Sequence, residues 1–215
     1  MNLDLLDSLN EPFNEEIAPQ AYILHAFAQA QAITLQTELE EIIKNAPFRI
    51  MSTPTGFPLS VAMTNCGQWG WITDKQGYRY SATDPLSGRK WPPIPASMYE
   101  LGRAAAQAVG FENFQPNACL INRYIPGAKM SLHQDKDERN FQAPIVSLSL
   151  GLPAIFLFGG FNRTDKSSRY RLQHGDVVVW GGASRLCYHG ILPLKDGFHP
   201  KLGRCRINVT LRQTD

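Results

Sequence analysis

Residues Arg206-Ile207-Asn208-Val209-Thr210-Leu211-Arg212 alternate polar and apolar side chains without a break. Side chains two apart on a strand share a face. Ile207, Val209 and Leu211 therefore pack into a core, while Arg206, Asn208, Thr210 and Arg212 look the other way. An enclosed face with two guanidinium groups is costly unless an anion answers them. A dicarboxylate would do so, because guanidinium and carboxylate pair in a two-pronged geometry. The alternative is an edge strand with its polar face in water.

The residues before this strand extend the β pattern. From Pro116 onward, Gly, Pro and Asp separate candidate strands at 119–125, 145–150, 154–158, 170–173, 176–180, 185–191 and 206–213. Many short strands at such spacing predict an antiparallel sandwich or jelly roll, which leaves a pocket between its sheets. Two helices flank it. Leu35, Leu39, Ile42 and Ile43 mark one over Ala28–Asn45. Pro95 and Gly110 bracket another over Ala96–Val109. Residues 1 to about 20 are expected to be a loosely ordered lead-in. Between the helices lie Phe57, Trp69, Trp71, Tyr78, Tyr80 and Trp91 among glycines. This stretch predicts short strands and loops. Its aromatics form either a satellite hydrophobic cluster or a lid that stacks on a flat ligand, and composition favours the cluster.

A length of 215 residues, 43% hydrophobic and 19% charged, suits one soluble globular domain. A net charge of +2 permits a nucleic-acid partner without demanding one. Cys66, Cys119, Cys187 and Cys205 are scattered with no C-x-x-C pair, which argues for reduced thiols over a disulfide framework or a zinc site. Asp4, Asp7 and Glu11 stand where a secretory leader would be basic. The apolar run 145–158 is interrupted by Ser147, Ser149, Gly151 and Pro153, which excludes it as a membrane span. The expectation is a cytoplasmic protein without a membrane partner.

Of the five histidines, two stand in chemically suggestive contexts. In His133-Gln134-Asp135 the first and third side chains share one side of an extended segment, and His189 follows later in Tyr188-His189-Gly190. Two imidazoles and a carboxylate can hold Fe(II) on one face and leave three positions open. A structural zinc site would fill all four of its positions. Asn122 and Tyr124 share a face and can donate hydrogen bonds to the same acid. His174-Gly175-Asp176 fits a turn before a strand, with a hydrogen-bonding His.

Together, Asn122-Arg123-Tyr124, the run from Ser131 to Asp137, the run from His174 to Gly182, Tyr188-His189-Gly190, the strand 206–212 and the earlier Met63-Thr64-Asn65-Cys66-Gly67 resemble the AlkB family of Fe(II)/2-oxoglutarate dioxygenases, and most of all its bacterial repair members. The resemblance covers nearly the whole chain. It implies a mainly β fold with flanking helices: a double-stranded β-helix (jelly-roll) core over 91–215, and an N-terminal extension, helix and nucleotide-recognition lid over 1–90, in one compact unit. It implies His133, Asp135 and His189 as iron ligands and catalytic centre, and Asn122, Tyr124, Arg206, Asn208 and Arg212 as contacts for 2-oxoglutarate. Arg206 would take the distal carboxylate and Arg212 would lie near the metal. It implies Trp71, Tyr78, Asp137 and Arg163 at the substrate. The implied reaction couples 2-oxoglutarate decarboxylation by O2 to hydroxylation of an N-alkyl group on a base of the 1-methyladenine or 3-methylcytosine type, with formaldehyde release. The implied partner of a monomeric enzyme is alkylated single-stranded DNA, with RNA as a second substrate. Lys129, Gln134, Lys136, Arg139 and Arg163 are candidate phosphate contacts. Two alternatives stand beside this: a related hydroxylase of a protein or small molecule, and a metal-binding jelly roll without catalysis.

Overall fold

The structure is a computed structural model that describes residues 13–215. Two antiparallel sheets face each other. The larger has eight strands in the order β1 (Phe13–Ala18), β2 (Ala21–His25), β12 (Val177–Trp180), β9 (Ile145–Gly151), β14 (Arg206–Arg212), β7 (Ala118–Tyr124), β4 (Pro58–Gly67) and β3 (Arg49–Ser52). The smaller has four, in the order β11 (Ser168–Leu172), β10 (Ala154–Phe158), β13 (His189–Ile191) and β8 (Met130–His133). A hairpin of β5 (Gly70–Asp74) and β6 (Gly77–Ser81) forms a third, separate sheet. This is the jelly roll expected from the strand spacing.

Period-two alternation builds the layers. Ile207, Val209 and Leu211 of β14, Cys119 and Ile121 of β7, Val146 and Leu148 of β9, and Val177 and Val179 of β12 share one buried cluster with two helices. These are α1 (Ala32–Asn45) and α2 (Ala96–Gln107). In α1, Leu35, Leu39 and Ile42 are the buried stripe, and each such side chain contributes roughly 1.5–3 kcal/mol by leaving water. In α2, Gly102 lies so close to the sheet that a Cβ would overlap Leu211, so the helix fixes the back of β14. The intervening residues of the same strands, Leu120, Tyr124, Ile145, Val178 and Trp180, join Phe156, Phe158 and Ile191 of the smaller sheet in a second cluster.

The structure departs from the sequence expectations at both ends of the N-terminal region. Residues 1–12 of the expected lead-in lie outside the described residues, but Phe13–Ala18 and Ala21–His25 are strands β1 and β2, and β2 pairs with β12 in the larger sheet. Alternation over five residues is too short a signal to separate from a loop. The first helix starts at Ala32, after a turn in which the Ala28 amide bonds Gly175 O at 2.9 Å. The segment 185–188 is not strand: a 3-10 turn over Gly182–Ser184 and its exit delay β13 until His189. No helix among the described residues is long and apolar enough to cross a membrane.

Candidate active site

β8 and β13 are neighbours in the smaller sheet, and their register sets His189 directly opposite His133. Close approach is possible because Gly190 follows: a Cβ there would come within 2.7 Å of Met130 O. The two imidazole centroids are 4.4 Å apart. Asp135 turns in from the loop just past β8. His133 Nε2 lies 3.6 Å from Asp135 Oδ1, and His189 Nε2 lies 3.8 Å from Asp135 Oδ2. One ligand atom from each of the three residues falls within 4.8 Å of the others, the only such group of three among the described residues.

The other ring nitrogens explain the orientation. Nδ1 of His133 is 2.9 Å from Ser131 O, and Nδ1 of His189 is 3.1 Å from Cys187 O. A carbonyl only accepts, so each Nδ1 carries the proton and each Nε2 keeps its lone pair for a metal. Burial, reinforced by neighbouring His133, pushes the His189 pKa down to about 4, so the ring is neutral at neutral pH. Burial alone would raise the Asp135 carboxyl. Arg212, His189 and His133 outweigh it and hold the group well below the usual carboxylate range. His189 and Asp135 are thus already in the protonation states that a divalent cation needs.

The floor of the adjoining cavity, about 700 Å³ in volume, is the polar face of β14. All seven residues of that strand are buried, and it runs between β7 and β9, so the edge-strand alternative is excluded. Arg212 Nη2 donates to Asp135 Oδ2 at 2.7 Å. Arg206, 1% exposed, donates through Nη2 to Ser149 Oγ at 2.9 Å and sits with Cζ 5.1 Å above the Tyr124 ring. Its Nε and Nη1 have no partner.

A model of the 2OG-Fe(II) oxygenase superfamily matches residues 20–212. The chain is 57% identical over 203 residues to alpha-ketoglutarate-dependent dioxygenase AlkB of Escherichia coli K12, a match spanning 94% of each protein. The chain belongs to the AlkB family of 2OG-Fe(II) oxygenases. This dioxygenase is also 34% identical over 131 residues to nucleic acid dioxygenase ALKBH1 of Mus musculus, which covers 59% of the chain and 33% of that relative. The solved structure of OsALKBH1 superposes with a TM-score of 0.80 at 30% identity, covering 94% of the chain and 100% of the other.

The cofactors of an AlkB-family enzyme are Fe(II), 2-oxoglutarate and O2, and the residues present suit them. Two imidazoles that each turn Nε2 toward a shared carboxylate suit ferrous iron with positions left open. Arg206 is a fully buried cation with two unpartnered nitrogens and no acidic partner among the described residues, which is the counterpart a diacid's far carboxylate requires. Asn122 Oδ1, in the same cavity, is likewise buried without a partner.

The remaining expected residues divide. Asn122, Tyr124, Asn208, Trp71, Tyr78, Asp137 and Arg163 all line the cavity. Asn208 already donates to Ser147 Oγ at 2.8 Å and to Leu148 O at 3.0 Å, and accepts from Asn122 Nδ2 at 3.4 Å. Trp71 and Tyr78 stack at 5.7 Å with 20° between planes. Asp137 Oδ2 accepts from Trp71 Nε1 at 2.7 Å and has no ion pair among the described residues. The aromatics therefore fit both sequence readings: Trp71 and Tyr78 wall the mouth, while Trp91 is buried in the cluster. Arg139 is absent from the cavity lining, and Gln134 spends its amide on Leu186 O at 2.6 Å. His174 is a loop residue as expected, with Nδ1 accepting from the Gly151 amide at 3.0 Å.

Sequence reasoning missed Asn65 as a positioning residue, although it lies in a quoted motif. It is 1% exposed and grips Trp71 through both backbone groups, each at 3.0 Å. A polar residue in an apolar strand six positions before an aromatic was the available signal.

Proposed function

We propose that this dioxygenase oxidatively removes alkyl groups from damaged nucleic-acid bases, of the 1-methyladenine and 3-methylcytosine type, in single-stranded DNA and also in RNA. In this reading His133, Asp135 and His189 hold the iron. Arg206 and Tyr124 take the distal carboxylate of 2-oxoglutarate. Arg212 and Asn122, braced by Asn208, lie at its near end. Residues 1–90 supply the extension and lid, 91–215 the core, and the enzyme works as a cytoplasmic monomer. When bound, iron and O2 supply the oxidising chemistry that turns 2-oxoglutarate into succinate and carbon dioxide and releases the alkyl carbon as formaldehyde.

One observation carries the choice of substrate. The stacked Trp71–Tyr78 pair and the Asp137 carboxylate stand at the mouth of the cavity whose inner wall holds the triad. A base methylated at N1 of adenine or N3 of cytosine is cationic and cannot pair, so it is cheap to extrude. The aromatic faces attract its charge, and Asp137 adds an anion. Lys129, Lys136 and Arg163 are exposed at the rim without ion pairs among the described residues, free to meet phosphates. The relative from Mus musculus is itself a nucleic acid dioxygenase.

The test is formaldehyde release from an oligonucleotide carrying one 1-methyladenine, with iron and 2-oxoglutarate each omitted in turn. Release should require both and should vanish on the unmethylated strand. Equal 2-oxoglutarate turnover with methylated and unmethylated strands would overturn the repair reading.

A further inference from the structure

The loop between β8 and β9 carries three carboxylates within four residues: Asp135, Asp137 and Glu138. The first two belong to the site described above. Glu138 does not, and it is the most deeply buried of the three, at 5% exposure. A carboxylate so placed is costly unless it is paired and hydrogen-bonded, and here both oxygens are. Tyr80 Oη donates to Glu138 Oε1 at 2.5 Å. Arg185 Nη2 donates to Oε2 at 3.0 Å. Arg212 Nε stands 3.3 Å from Oε1, an ion pair out of line for a hydrogen bond.

Both of these arginines also hold Asp135. Arg212 grips its carboxylate, through Oδ2 at 2.7 Å, and Arg185 Nη1 grips its backbone carbonyl at 2.7 Å. Arg185 is anchored in turn by Nε on Ala143 O at 3.2 Å. The charges form a closed set: two guanidinium groups against two carboxylates. Without the Glu138 charge, two cations would face Asp135 alone. The set would carry a net positive charge beside the place where a dication must bind, and Arg212 would be free to settle fully on Asp135 Oδ2, an oxygen the metal also needs.

Tyr80 brings the lid into the same set. It belongs to β6, and its register partner across the hairpin is Trp71. These two neighbours bind two neighbours in the loop: Trp71 Nε1 to Asp137 at 2.7 Å and Tyr80 Oη to Glu138 at 2.5 Å. Tyr80 Oη also accepts from Arg212 Nη1 at 3.4 Å. The hairpin is its own sheet, and this is how it reaches the metal ligand.

We infer that Glu138 is a positioning residue for the metal site: its charge sets Arg212 and Arg185 against Asp135, and its bond from Tyr80 ties the lid hairpin to that same ligand. The inference rests on the reading of His133, Asp135 and His189 as the ligand set. The test is Mn(II) binding to the metal-free full chain, followed by the electron paramagnetic resonance of the free ion, with 2-oxoglutarate present. Glu138→Gln should weaken Mn(II) binding by about 10- to 100-fold, the usual scale for residues behind a ligand, and Glu138→Asp, which keeps the charge, should recover part of it. Amide exchange over residues 70–81 should slow when Mn(II) and 2-oxoglutarate bind to the wild type, and should not slow in Tyr80→Phe. His133→Ala, the control, should abolish binding. If Glu138→Gln binds Mn(II) like the wild type, Glu138 is only a structural brace and the inference fails alone. Mn(II) binding retained by His133→Ala would instead overturn the ligand set and this inference with it. Should Glu138→Gln fail to fold, the decision passes to Tyr80→Phe, where wild-type slowing of the hairpin would overturn the coupling.

Discussion

β14 and β6 both present side chains to the cavity, but they are held in opposite ways. β14 is hydrogen-bonded to β7 on one side and β9 on the other, and every one of its residues is buried. β6 has β5 as its single partner, and none of its residues is buried. On the floor, the backbone and neighbouring strands decide where Arg206 and Arg212 point before any ligand arrives, so the cost of fixing two charges is met during folding. In the β5–β6 hairpin, Trp71 is held by Asn65 and Asp137, Tyr78 stacks on Trp71, and both stay partly open to solvent, which suits the proposed base-receiving surface. The proposed chemistry thus sits on a strand paired on both sides, and the proposed recognition on a hairpin paired within itself.

The sharpest challenge to that contrast is Arg206→Ala. Succinate formation should fall on the order of 100-fold or more, since a buried charge stripped of its partner costs about 3–5 kcal/mol, while the far-ultraviolet circular dichroism stays that of the wild type. Retained turnover would show that the floor does not hold the co-substrate. Next in size is Trp71→Ala. Stacking on a base is worth about 1–3 kcal/mol, so kcat/KM for the methylated oligonucleotide should drop by roughly 5- to 150-fold while uncoupled 2-oxoglutarate decarboxylation changes little. If both fall together, Trp71 is packing and the lid is not separate from the floor.

A smaller effect concerns pH. The folded-state pKa of His189 is depressed to about 4 from the ordinary imidazole value of 6.5. The unfolded chain therefore binds a proton first as pH falls, and the stability that neutral His189 contributes is complete above about 6.5 and lost on the way down to about 4. Urea midpoints of the metal-free protein should decline over that window, and less steeply in His189→Gln. An identical slope would mean that other groups carry it. The smallest effect belongs to the lid surface. Asp74 and Arg79 form a two-pronged pair, with hydrogen bonds of 2.8 Å each, that holds the Asp74 carboxyl at about 2. The pair is only half-buried, and bridges open to solvent add little, so Asp74→Asn should leave the thermal midpoint unchanged. A clear loss would place more of the lid's rigidity on its rim than the contrast allows.

Particular residues show how far the chain could be read in advance. The boundaries of β10 are the sequence expectation itself, and those of β7, β9, β12 and β14 lie within a residue or two of it, because most of these strands lie next to Gly, Pro or Asp and all carry apolar residues in runs or at alternate positions. His133 and His189 were legible as a pair by residue type and spacing. β1, β2 and β8 were not legible as strands. Glu138, Arg185 and Tyr80 were not legible at all: a Glu in a polar loop, an Arg after a turn and a Tyr among other aromatics have solvated surfaces as their ordinary place.

Local sequence decided which groups could bind a metal and a diacid, because alternation along one strand and the His-x-Asp spacing are properties of a few consecutive residues. It also decided that the fold would be layered and antiparallel. The tertiary structure alone decided that Arg212, Glu138, Arg185 and Tyr80 would meet around Asp135, since those contacts join positions 47 to 132 residues apart. Pairing at that range depends on sheet order and register, which no local period encodes.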